Sequence, residues 1–63
     1  MKLPGATYSF EASEVGLRPS EEPTAFVHDG IIFRDVERLF HGSDLSGWRL
    51  TSDDGDVLTI FND

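Results

Sequence analysis

Three aspartates crowd into four positions around a glycine in the stretch SGWRLTSDDGDVLTIF, residues 46–61. Carboxylates so close together raise the question of a hard cation. A calcium loop of the EF-hand type spreads its oxygen ligands over twelve residues and closes on a bidentate Glu. Here Asp53, Asp54 and Asp56 are bunched around Gly55, no Glu follows, and the chain runs straight into the apolar segment VLTIF. Asp and Gly together are turn chemistry. The cluster therefore reads first as the tip of a hairpin, second as a partner-facing surface, and last as a metal site.

The other chemistry-bearing residues are no better placed. His28 and His41 lack the H-x-x-x-H or H-E-x-x-H spacing of a helical zinc site. The chain has no cysteine, which removes disulfides and thiolate zinc sites together. No serine sits in a G-x-S-x-G elbow, and the six glycines never form a phosphate loop followed by a helix and a lysine. Paired carboxylates for glycoside chemistry need a rigid cleft, which a chain this small does not readily build. The residues point to a protein that is not an enzyme and holds no cofactor or metal.

Charge sets the class of partner. Twelve Asp and Glu face five Lys and Arg, for a net charge of −7. Such a surface repels nucleic-acid phosphates and anionic membranes and attracts basic protein surfaces. The N-terminal stretch MKLPGATYSF has no apolar signal-peptide core, and no segment approaches the length of a membrane span. A cytoplasmic location is the expectation, and the lack of cysteine fits a reducing compartment.

The elements that must position these residues follow from pattern. Residues 6–12 alternate, with Tyr8 and Phe10 on one face, as a half-buried strand does. Residues 13–23 read as a connecting loop that Pro19 and Pro23 keep from holding a helix. Asp29-Gly30 lies between two β-prone runs and supplies a tight type I′ turn, so residues 26–28 should pair with 31–33. In DVERLFHG, Val36, Leu39 and Phe40 fall at i, i+3 and i+4 between Asp35 as N-cap and Gly42 as stop. That predicts a short helix or helical turn, with a third strand as the rival. Trp48 and Leu50 alternate with Arg49 and Thr51 as in a strand. Val57 to Phe61 form another strand, apolar on both faces, with Val57 and Phe61 on one and Leu58 and Ile60 on the other.

The fold class expected is mainly β, bordering on α+β: a small antiparallel sheet of four or five strands with one short helix or helical turn. Sixty-three residues make a single small domain, near the limit of independent stability. Without disulfide or metal, the remaining staple is another subunit. Val57, Leu58, Ile60 and Phe61 are the expected seam of a homo-oligomer, a dimer above all, reached through a free strand edge. For binding another protein, the residues singled out are Asp44, Trp48, Arg49, Asp53, Asp54 and Asp56. Trp and Arg are the commonest interface hot spots, and the aspartates form an acidic rim.

The segment DLSGWRLTSDDGD resembles the signature of a bacterial family of unknown-function proteins that includes immunity proteins of polymorphic toxin systems. Its Asp-Ser-Gly-Trp block falls on Asp44, Ser46, Gly47 and Trp48, with Ser52 following and Leu45 interrupting. Asp29-Gly30, the apolar run after it and Arg34-Asp35 stand for the upstream part. The resemblance implies a small cytoplasmic protein that neutralises a toxin or defence protein by binding, without turnover. A phage-borne anti-defence inhibitor would share this profile, and its acidic surface would mimic nucleic-acid charge. Two alternatives remain open. One is an oligomeric sponge for a nucleotide-like ligand, using Lys2, Arg18, Arg34, Arg38 and Arg49; the other is a structural subunit of a larger assembly.

Overall fold

The computed structural model describes Gly5 and residues 7–62. Five strands appear there: β1 (Thr7–Glu11), β2 (Phe26–His28), β3 (Ile31–His41), β4 (Asp44–Ser52) and β5 (Val57–Phe61), with one 3-10 turn at Ala12–Val15. They form one sheet in the order β1-β5-β4-β3-β2. The fold is mainly β, as its alternating segments require. Three of the four strand pairs are antiparallel, while β1 joins β5 in parallel with Thr7 opposite Val57 and Glu11 opposite Phe61. Of the expected first strand, Ala6 lies outside the described residues, as does Lys2.

The β2–β3 hairpin forms where Asp29-Gly30 places it, with Phe26 opposite Phe33 and His28 opposite Ile31. Asp29 and Gly30 take φ values of 54° and 76°, the left-handed pair that a type I′ turn needs.

The helix expected in DVERLFHG is absent: residues 35–41 belong to β3 and Gly42 to the turn after it, so the rival reading holds. Register shifts lie on either side, between Phe33 and Asp35 and between Leu39 and Phe40, and residues 35–39 pair without a break. Val36 faces the core opposite Leu50, whereas Leu39, opposite Gly47, lies on the other face, so the apparent i, i+3, i+4 spacing comes from apolar residues on both faces of one strand. The one helical turn among the described residues lies instead at Ala12–Val15, where the expected strand 6–12 gives way to the expected loop. It sits before Pro19, and the Glu14 carboxylate accepts a 2.9 Å hydrogen bond from the Glu11 N–H at its start.

Residues opposite one another in the ladders share a face. Tyr8, Phe10, Leu58, Ile60, Trp48, Leu50 and Val36 point to one side; Ser9, Thr59, Arg49 and Glu37 point to the other. The first side holds the core, in which Ala12, Phe33, Trp48, Leu50, Leu58 and Ile60 are all fully buried. The sheet curls around this core until its two end strands meet through side chains. The Tyr8 ring lies 4.8 Å from the His28 imidazole, and Phe10 lies 6.4 Å from Phe26. No backbone ladder joins β1 to β2.

The chain between the 3-10 turn and β2 closes the core from below. Val15 and Leu17 pack against it and Pro23 is buried. Asn62 fastens this crossing segment. Its side-chain oxygen accepts a 2.7 Å bond from the Ser20 N–H, and its amide nitrogen donates to the Leu45 carbonyl at 3.1 Å. The second cover required by a strand apolar on both faces is thus supplied by the chain itself on the Leu58–Ile60 side.

Candidate functional site

The acidic cluster is a hairpin tip between β4 and β5, held by a bonded pair of side chains. The Ser52 hydroxyl accepts from the backbone N–H of Asp56 at 3.0 Å and of Asp54 at 3.2 Å, and donates to the Asp56 carboxylate at 3.3 Å. Backbone bonds from Ser52 to Asp56 (2.9 Å) and from Gly55 to Ser52 (3.1 Å) tighten the same turn. Asp56 is fully buried by this arrangement. A buried carboxylate that accepts hydrogen bonds is a structural group, so Asp56 has no surface to offer a partner. Asp53 and Asp54 are exposed.

Between this turn and the β2–β3 turn lies a recess of about 200 Å³, lined by Gly30, Ile31, Ile32, Arg34, Ser52, Asp53 and Asp54. It brings one guanidinium to the same hollow as two carboxylates. Arg34 is placed there by the bulge that interrupts β3, the usual effect of a bulge being to re-aim a side chain. No group of His, Cys, Asp and Glu among the described residues is arranged to hold a metal ion.

The expected acidic rim divides in two. Asp44 opens β4 and pairs with His41 beside the Gly42-Ser43 turn, whereas Asp53 and Asp54 follow the other end of that strand. The eight steps of β4 separate them by roughly 26 Å at about 3.3 Å per residue. Trp48 is fully buried and belongs to the core. Its indole N–H has no hydrogen-bond partner among the described residues; it lies near enough to Glu22 to favour that carboxylate's charge, without hydrogen-bond geometry. Arg49 is exposed on the opposite face and pairs with Glu37 at 2.6 Å.

The four residues expected at a subunit seam also separate. Leu58 and Ile60 are spent on the chain's own core, while Phe61 is 47% exposed and Val57 half-buried on the open face. β5 is flanked by β1 and β4, so it has no free edge through which to pair with a copy of itself. The open face carries further apolar groups at Val27, 63% exposed, and Ile32, 46% exposed.

The arginines do not converge. Arg38 shares the face of Trp48 and is bonded through Nε to Glu22 at 2.5 Å, while Arg49 lies on the other face. The Arg38 guanidinium, by hydrogen bond first and by charge second, holds the Glu22 carboxyl below the usual glutamate range, and Glu22 in turn raises Arg38. Arg34 lines the recess and Arg18 lies in the crossing segment. Two structural residues escaped the sequence reading. His28 is flanked by the rings of Tyr8 and Phe10, at 4.8 and 5.0 Å. Asn62 ties three segments together, and nothing in a lone C-terminal Asn marks it for that work.

Comparison with family models, with curated proteins and with solved structures finds no match to this chain. Among the described residues no helix is long and apolar enough to cross a membrane.

Proposed function

We propose that this protein is a small non-catalytic inhibitor that acts in the cytoplasm by occupying a basic surface on another protein, a toxin or defence nuclease in type. The observation that carries the reading is the surface balance of charge. Among the described residues, ten of the eleven acidic side chains are exposed, against four exposed arginines, and two of those four are already paired with Glu22 and Glu37. The described surface is thus predominantly negative, which steers association with a basic partner and sets its salt dependence. The resemblance of DLSGWRLTSDDGD to immunity proteins points the same way. Trp48 enters this reading as the core residue behind that segment, and Asp53 and Asp54 as its partner-facing tip.

Replacing both Asp53 and Asp54 by Lys tests the proposal, because the Ser52–Asp56 pair that holds the turn is left in place. The measurement is inhibition and binding across a panel of purified basic nucleases at near-physiological salt. The wild type should inhibit at least one of them, and the double reversal, checked to be folded, should bind it at least tenfold more weakly, a difference of about 1.4 kcal/mol or more. Undiminished inhibition by the reversal, or no inhibition by the wild type of any enzyme in the panel, would overturn the reading.

A further inference from the structure

We propose that the outer edge of β3 over residues 34–41 is a docking edge, to which a partner adds an extended segment with Lys or Arg at alternate positions. This rests on the basic-partner reading above and names how the partner is held. β2 covers β3 only at residues 31–33. Past the bulge between Phe33 and Asp35, no strand among the described residues lies on that side, and none of their backbone hydrogen bonds reaches it from the crossing segment. That segment carries Pro19 and Pro23, and proline has no donor for a ladder. Eight residues of edge, roughly 23 Å at about 3.3 Å per residue, therefore present unpaired backbone groups. Such an edge is a template for strand addition.

Charge selects the occupant. Residues directly opposite in an antiparallel pair share a face, and like charges there are destabilising. A second copy paired symmetrically about Asp35, Val36, Glu37 or Arg38 would set Asp35 on itself, Asp35 on Glu37, Glu37 on itself or Arg38 on itself. The edge thus disfavours its own copy. A strand with basic residues two apart fits instead, because Asp35 and Glu37 stand together on the open face, Glu37 sharing its carboxylate with Arg49, while Val36 between them points to the core side. Phe40, 60% exposed at the far end of the edge, provides an apolar anchor.

The probe is a synthetic eight-residue peptide of alternating Lys and Val, with two derivatives carrying backbone N-methyl groups on one or the other set of alternate residues. Titration calorimetry with the full chain gives affinity, and amide hydrogen exchange gives location. The unmethylated peptide should bind and add protection at residues 34–41. One methylated set should bind at least tenfold more weakly and the other about equally, since only one side of a strand faces its neighbour. Equal binding by all three without new protection would overturn the docking edge and leave the basic-partner reading standing. Protection gained on β1 in place of β3, or no binding by any Lys peptide, would overturn the edge as well. The nuclease panel then decides the basic-partner reading independently.

Discussion

The imidazole of His28 and the ring of Tyr8 meet at 4.8 Å with their planes 70° apart, and in doing so they bring together the two ends of the sheet. Phe10 meets the same imidazole at 5.0 Å from the next position on that face. Edge-to-face packing of this kind contributes about 0.5–1.5 kcal/mol beyond the area it buries. Replacing His28 by Ala should therefore lower stability in urea by about 1–3 kcal/mol, and His28→Phe, which keeps a ring, should lose less. An unchanged midpoint in the Ala variant would mean that the ring contacts do not close the sheet in solution.

Gly47 is required by backbone proximity. A Cβ built there would stand 2.3 Å from the Ile60 carbonyl oxygen and 3.1 Å from the Phe61 Cα, and backbone atoms cannot swing aside. Gly47→Ala should cost about 1–3 kcal/mol through a forced shift between β4 and β5. The check is the unfolding midpoint together with amide exchange at residues 58–61. A variant as stable as the wild type would show that the two strands separate more easily than their packing implies.

Ser52 is the hub of the acidic turn. Its hydroxyl serves two backbone N–H groups and the buried Asp56 carboxylate. Ser52→Ala leaves those groups short of a partner, at a cost of about 1–3 kcal/mol. Asp53→Ala, at an exposed position of the same turn, should stay within about 0.5 kcal/mol of the wild type. Equal effects from the two would mean that the turn is held by its backbone bonds alone.

The Glu22–Arg38 pair has a signature in pH. Glu22 titrates lower in the folded chain than in the unfolded one, chiefly because of its hydrogen bond to Arg38. Its contribution is then complete above the unfolded value and fades as pH falls through the folded one. Glu22→Gln should flatten this part of the acid limb, so that the wild type loses more stability on acidification than the variant does. Both side chains are substantially exposed, at 63% and 44%, so solvent and salt keep the difference small. Parallel acid limbs at low ionic strength would remove the ion pair from the account.

What the sequence reveals depends on whether the information is local. Asp29-Gly30 fixes a turn by its own dihedral preferences, and the alternation around Leu58 and Trp48 marks strands whose inward faces are both buried. Those parts are legible. β3 is not, because Val36 and Leu39 are apolar residues on opposite faces of one strand, and with Phe40 their spacing can be read as helical. The parallel pairing of β1 with β5 leaves no local trace at all. In the candidate site, the turn character of residues 53–56 is legible from Asp and Gly, but the burial of Asp56 is not. That burial depends on Ser52, four residues earlier, and a serine before an acidic turn has many uses. The separation of Asp44 from Asp53 required only the length of β4, once the segment was known to be one continuous strand.

The parallel ladder has a consequence in time. Thr7 pairs with Val57, fifty residues later in the chain (57 − 7), so β1 can find its place only after β5 has left the ribosome. At ordinary synthesis rates of about 5–20 residues per second, that leaves Tyr8 and Phe10 waiting for roughly 3–10 s. The consecutive strands β2, β3 and β4 can meanwhile assemble as a meander from near neighbours, whereas the last pairing must close a long loop. Closing the sheet around its core is therefore a late event. The strand made first is the strand placed last.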